Sequence, residues 1–194
     1  MNPITHFLVS WSVAESSKLD SRDKALVTWV GLSPDLDGLG VIADIGARFF
    51  CGAELGLYEH YHHMLFHGLF GAMLIPAIAS LAAHRRFPTL ALCFVAFHIH
   101  LLCDLVGSRG MGADEIWPIP YLSPFSSALT FSWPGQWPIN AWPNFALTLI
   151  LICFVFLRAV THGHSPVGLI STVANKKFIQ TVQARWRQIS GRVV

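Results

Sequence analysis

Three stretches of this chain are apolar over lengths that match the thickness of a lipid bilayer, which narrows its possible folds before any motif is considered. Residues 64–83, MLFHGLFGAMLIPAIASLAA, carry no charge; residues 88–106 are apolar apart from His98, His100 and Asp104; residues 141–160 are uncharged until Arg158. About 20 apolar residues cross a hydrocarbon core roughly 30 Å thick as a helix. Composition agrees, with 53% hydrophobic residues, 12% charged residues and a mean hydropathy of +0.51 over 194 residues. Those values exclude an ordinary soluble domain. With a formal net charge of only +2, they also disfavour a disordered tail or a basic nucleic-acid arm, so no nucleic-acid partner is expected.

The remaining segments fill in an all-α, polytopic helical bundle. Residues 5–17 and 24–34 are apolar-rich but each too short to cross alone, and a charged link, Lys18 to Lys24, joins them. A short helical hairpin dipping into the membrane and shielded by the longer helices suits this pattern. A glycine-rich stretch to about Gly56 reads as a loop, and residues 107–140, with Pro118, Pro120, Pro124, Pro134 and Pro138, as a second long connector. From about Val167, Phe178, Val182, Trp186 and Ile189 recur at helical spacing among Lys176, Lys177, Arg185, Arg187 and Arg192. That is an amphipathic helix expected to lie on the membrane surface. The expected organisation is a membrane-embedded domain over 1–165 and a basic amphipathic tail over 166–194. Cys51, Cys93, Cys103 and Cys153 show no metal-ligand spacing and read as small hydrophobes. The N-terminus lacks the basic start and long apolar core of a secretory signal.

Lys and Arg accumulate on the cytoplasmic side of short loops. With the His84–Arg86 turn inside, eleven of the thirteen Lys and Arg fall on the cytoplasmic side and eight of the eleven carboxylates on the outer one. This expected topology puts the C-terminus in the cytoplasm. It also brings His6, Asp35 and Asp37, His60 to His67, and His98 to Asp104 to one depth at the outer, periplasmic face. Ionisable groups inside a membrane are costly and mark functional sites.

Imidazole and carboxylate together suit a divalent metal. His100 and Asp104 are four residues apart and share a helix face, whereas His98 points elsewhere. In EHYHHMLFHG, His67 is the firmest ligand candidate and His62 and His63 are further ones, while His60 reads as an interfacial residue. In SPDLDG, Asp35 and Asp37 add carboxylates whose alternative reading is turn chemistry. His6 is either a ligand or a capping residue.

The order of these motifs resembles the YdjM-like inner-membrane metal-dependent hydrolases. Members show a histidine near the N-terminus, P-D-[IL]-D, H-R-G-x-T-H-S, H-x-x-x-D and W-P; the matches here are His6, Pro34-Asp35-Leu36-Asp37, His62 to His67, His100 with Asp104, and Trp117-Pro118. They cover about residues 1–120. Gly38 stands where many members have histidine, and HHMLFHG lacks the family's Arg, Thr and Ser. The family is itself distantly similar to zinc-dependent phospholipase C enzymes. The resemblance implies an inner-membrane, metal-dependent hydrolase, most plausibly of a phosphoester in a lipid or at the membrane surface. The expected ligands are His6, Asp37, His62, His67, His100 and Asp104 around one or more divalent ions, zinc first among them. Asp35 is the expected proton acceptor and Arg109 the partner of a phosphate oxygen. Two other classes use similar residues: a cation transporter or non-catalytic adaptor, and a membrane di-iron oxidase.

Overall fold

The computed structural model describes residues 1–62, 64–112 and 114–191, apart from the side chains of Glu59 and His60. His63, Arg192 and the His60 side chain therefore lie outside the described residues. The chain is helical, with one two-residue antiparallel ribbon, β1 (Ile119–Pro120) against β2 (Thr130–Phe131). Contacts divide it into two units, 1–144 and 145–194.

The expected N-terminal hairpin is present. The Asn2 side chain caps α1 (Pro3–Glu15) by accepting the Thr5 N–H, and Pro3 supplies the preset first-turn backbone. Asp20 caps α2 (Ser21–Leu32) by accepting the Asp23 N–H. The two helices pack on α6 (Arg86–Gly107), and Ala14, Val27, Val30, Ala96, Phe97 and Leu101 are buried between them. Cys93 is a buried part of the same core, in keeping with its reading as a small hydrophobe.

Two expectations about the next segments are corrected. The glycine-rich stretch is not a loop: residues 33–39 form a 3-10 turn that runs straight into α3 (Gly40–Cys51). Gly40 and Gly46 are accommodated inside helix; Gly52, at φ 64°, uses the left-handed region to end it, and Gly56, at φ 66°, uses the same region just before the next helix. The Asp44 carboxylate then accepts the first N–H groups of α4 (Leu57–Tyr61), from Leu57 and Tyr58. Residues 64–83 do not form one spanning helix either. Helix α5 covers only Leu69–Leu81, because His62, Phe66 and His67 are drawn aside by hydrogen bonds to Asp37.

Among the described residues, three helical stretches are long and apolar enough to cross a membrane: Ser21–Cys51, Arg86–Gly107 and Trp142–His162. The count of three is as expected, but the first is the continuous path through α2, the 3-10 turn and α3, in place of 64–83.

The end of the bundle away from His6 and His100 is closed by Asp23, which has no exposed surface. Its two oxygens accept the backbone N–H groups of His84 and Arg85, each at 2.9 Å, and so dock the α5–α6 turn onto α2. Asp23→Ala leaves both donors without their acceptor and is expected to cost about 2 kcal/mol. A lowered unfolding midpoint in detergent would show it; an unchanged midpoint would refute the latch. Neighbouring Asp20 is held below the ordinary carboxylate range first by the Asp23 N–H and then by the His84 imidazole. A depressed folded-state pKa stabilises above the unfolded value near 3.9 and loses that contribution as pH falls through the folded one. This turn is thus expected to loosen on acidification below about pH 4.

In the second unit, α7 (Trp142–His162) is followed by a 3-10 turn at Pro166–Leu169 and by α8 (Thr172–Ser190), capped by Ser171. Phe178 of α8 meets Phe156 of α7, and Gln183 donates to the Val160 carbonyl at 3.2 Å. Lys176, Lys177, Arg185 and Arg187 are exposed along α8, as are Trp186 and Ile189.

Candidate metal centre

Four segments deliver the site. His6 comes from α1, Asp35 and Asp37 from the 3-10 turn after α2, His62 and His67 from the bend before α5, and His100 with Asp104 from α6. One ligand-type atom from each of His6, Asp35, His100 and Asp104 lies within 4.8 Å of the others, and the same holds for Asp37, His62 and His67. The two groups adjoin, since His67 Nε2 is 3.4 Å from Asp104 Oδ2.

Each imidazole is oriented by a bond on one nitrogen. His100 Nδ1 donates to the Gly31 carbonyl at 2.9 Å, which leaves Nε2 facing the cluster. His67 Nδ1 donates to Asp37 Oδ2 at 2.9 Å, and His62 Nδ1 donates to Asp37 Oδ1 at 3.1 Å. The Phe66 N–H also reaches Asp37 Oδ2. His6 stacks on His100, ring centres 3.7 Å apart, while its Nε2 donates to Asp104 Oδ1 at 3.0 Å. Histidines that bind metal through one nitrogen are usually fixed in this way through the other.

The residues present suit a divalent ion. His100 Nε2 lies 3.0 Å from Asp104 Oδ2 and 3.6 Å from Asp35 Oδ1. Donor atoms about 2 Å from a tetrahedral zinc sit roughly 3.3 Å from one another, so these separations are those of neighbouring ligands. His100 Nε2, Asp104 Oδ2, Asp35 Oδ2 and His6 Nδ1 are all buried and make no hydrogen bond. Buried polar atoms left without partners are costly, and a cation among them removes that cost. The opposite oxygen of Asp104 is already occupied, accepting from Ser108 Oγ at 2.6 Å and from the amino terminus of Met1.

Seven sequence candidates thus lie in the two groups: His6, Asp35, Asp37, His62, His67, His100 and Asp104. Arg109 stands apart from them. It follows α6, its backbone pairs with Trp137 and Ile139, and among the described residues it forms no ion pair with a cluster carboxylate. Its Nε is nevertheless buried with no hydrogen-bond partner. His98 points away as expected, donating to the Phe94 carbonyl and accepting from the Tyr121 hydroxyl.

Several supporting groups carry no sequence signal, Trp117 of the W-P motif being the exception. Gly31 acts through a carbonyl that every residue has. Tyr58 stacks on His62, ring centres 4.5 Å apart, and Trp117 meets the same ring edge-on. Gln136, 1% exposed, donates to the Asp104 carbonyl at 2.8 Å and accepts the Trp117 N–H at 2.9 Å, tying the long connector to the end of α6. A glutamine in a proline-rich connector reads as surface, and only its burial reveals its role.

No curated protein and no solved structure matches the chain. The family model described as YdjM inner membrane protein matches residues 1–177, which takes in the whole cluster and ends within the second turn of α8. The chain belongs to the YdjM inner membrane protein family.

Proposed function

We propose that this protein is a metal-dependent hydrolase of the inner membrane that cleaves a phosphoester of a lipid or of a substrate at the membrane surface. The observation that carries this reading is the convergence of buried, unbonded His100 Nε2, Asp104 Oδ2 and Asp35 Oδ2 with His6 at one end of the bundle. His6, Asp35, His67, His100 and Asp104 would hold a divalent ion, zinc being the best match to this donor set. When bound, such an ion would make a water far more acidic and would draw charge from phosphoryl oxygens.

The chain's own groups supply the rest. Asp35 is the most open carboxylate of its group, its side chain 22% exposed. It can take a proton from the attacking water. Asp37, whose two oxygens already accept from His62, His67 and Phe66, either orients these imidazoles or binds a second ion with them once they give up those protons. Arg109, with its unpartnered Nε, pairs with a phosphate oxygen of bound substrate. The distribution of Lys and Arg supports a topology with the cluster at the periplasmic face and the C-terminus in the cytoplasm.

The test is elemental analysis of purified protein together with turnover of a chromogenic phosphodiester. Stoichiometric zinc and metal-dependent turnover are expected. Metal uptake into sealed vesicles without hydrolysis would replace this reading by transport, and iron with an oxygen-dependent product by oxidation. Asp37→Asn keeps the shape but weakens the acceptor, and is expected to lower metal affinity about 10–100-fold while leaving the helices folded. Unchanged affinity in a zinc-chelator titration would remove Asp37 from the site.

A further inference from the structure

The first three turns of α5 and the turn after β1 enclose an open groove of about 610 Å³, walled by Leu69, Phe70, Met73, Ala77, Leu122 and Phe125. Its volume is in the range of small-ligand sites, about 300–1,000 Å³. Among the described residues, the only polar side chain on its wall is that of Ser126.

One end of the groove lies close along the chain to a cluster residue. Leu69 is two residues from His67, and its N–H donates to the Tyr121 carbonyl at 2.7 Å, which stitches the two walls at that end. The Ser123 hydroxyl adds a second stitch to the Met64 carbonyl at 2.5 Å. Farther out, Phe70 and Phe125 meet edge to face with ring centres 5.5 Å apart. From Leu69 to Ala77 the wall runs along α5 for about 12 Å at the helical rise of 1.5 Å per residue, away from the His/Asp end and towards the Asp23 end.

We propose that this groove seats one acyl chain of a bilayer lipid whose phosphoester headgroup lies at the His/Asp cluster. This assignment rests on the hydrolase reading above and narrows its substrate to a lipid with a long apolar chain. The occupant follows from chemistry. The protein is in an inner membrane, so hydrocarbon chains are the apolar species surrounding α5. A docked protein segment would need polar partners at a rim, whereas this wall offers almost none. A methionine beside leucines and aromatics suits a flexible, featureless ligand. Met73 is 59% and Phe125 79% exposed, so the groove opens sideways to the hydrocarbon from which a chain would enter.

The test uses the full-length protein in vesicles of phosphatidylethanolamine and phosphatidylglycerol doped with a phosphatidylethanolamine that carries a photoreactive group on its acyl chain. Cross-linked peptides are mapped by mass spectrometry, with 145–157 of α7, where Leu149 and Ile150 are exposed, as the reference for general lipid contact. Label on 69–77 and 122–126 is expected several-fold above the reference and is expected to fall several-fold in Ala77→Trp. Met73→Trp, at an exposed position, is the second blocking variant. Equal labelling of groove and reference, or labelling indifferent to both tryptophans, overturns the proposal. In activity, both variants are expected to raise KM for long-chain phospholipid about tenfold while metal content and turnover of a water-soluble phosphodiester stay unchanged. Wild-type protein that labels in the groove yet cleaves no phosphoester would refute the hydrolase and uphold the groove. Hydrolysis with no groove labelling would do the reverse.

Discussion

His100→Ala is expected to abolish bound metal and phosphoester hydrolysis together, an effect beyond the 10–100-fold typical of changes to groups that merely orient a ligand. The imidazole is 1% exposed, its Nδ1 is committed to the Gly31 carbonyl, and its Nε2 stands 3.0 Å from Asp104 Oδ2 and 3.6 Å from Asp35 Oδ1. No neighbouring side chain can supply the lost donor, because His67 is already turned by Asp37 and His6 by Asp104. Asp104→Ala should behave alike, since Asp104 Oδ2 faces both His67 and His100. His98→Ala is the control on the same helix: it loses bonds to Phe94 and Tyr121 but is expected to keep full metal. The measurement is metal per protein by elemental analysis, read beside circular dichroism to verify that helix content is retained. Full metal in both His100→Ala and Asp104→Ala would discard the centre.

The parts of this site that could be read from the chain are those where one residue type carries both cost and purpose. An aspartate within an otherwise apolar stretch calls for a partner, and the spacing of His100 and Asp104 names it. The proline and charges around Asp35 and Asp37 mark the end of α2, and the hairpin reads from its caps and from the charged link between its helices. The span at 64–83 misled because hydropathy reports where apolar residues lie, not where the backbone is helical. Three bonds to Asp37 outweigh the first turn of that helix and turn His62, Phe66 and His67 towards the cluster. Glycine density misled at 40–51 for a related reason. The chain continues from α2 through the 3-10 turn into helix, and Asp44 is used to start α4 from within it. Groups that act through the backbone or only once buried, Gly31 and Gln136, have no signature in sequence at all.

Gly31→Ala is expected to damage the metal centre without touching a ligand. Glycine is present for space and not for backbone freedom, because Gly31 lies inside α2 with ordinary helical geometry. A methyl group there would overlap Ser10 Oγ, stand 2.6 Å from Ser10 Cβ and 3.1 Å from Ala96 Cβ, so α1, α2 and α6 cannot all keep their places. Small residues at such crossings let membrane helices approach closely. Moving α1 shifts His6 off its stack with His100, and moving α2 from α6 withdraws the carbonyl that aims His100. Overpacking of this kind costs about 1–3 kcal/mol, and misaiming the imidazole about 10–100-fold in metal affinity. The two effects can be separated from general damage by adding Ser10→Gly, which removes both Ser10 atoms from the overlap. The double variant is expected to recover most of the zinc affinity and part of the thermal midpoint lost in Gly31→Ala. Wild-type affinity in the single variant, or no recovery in the double, would mean that the closeness of α1 and α2 has no bearing on the aim of His100.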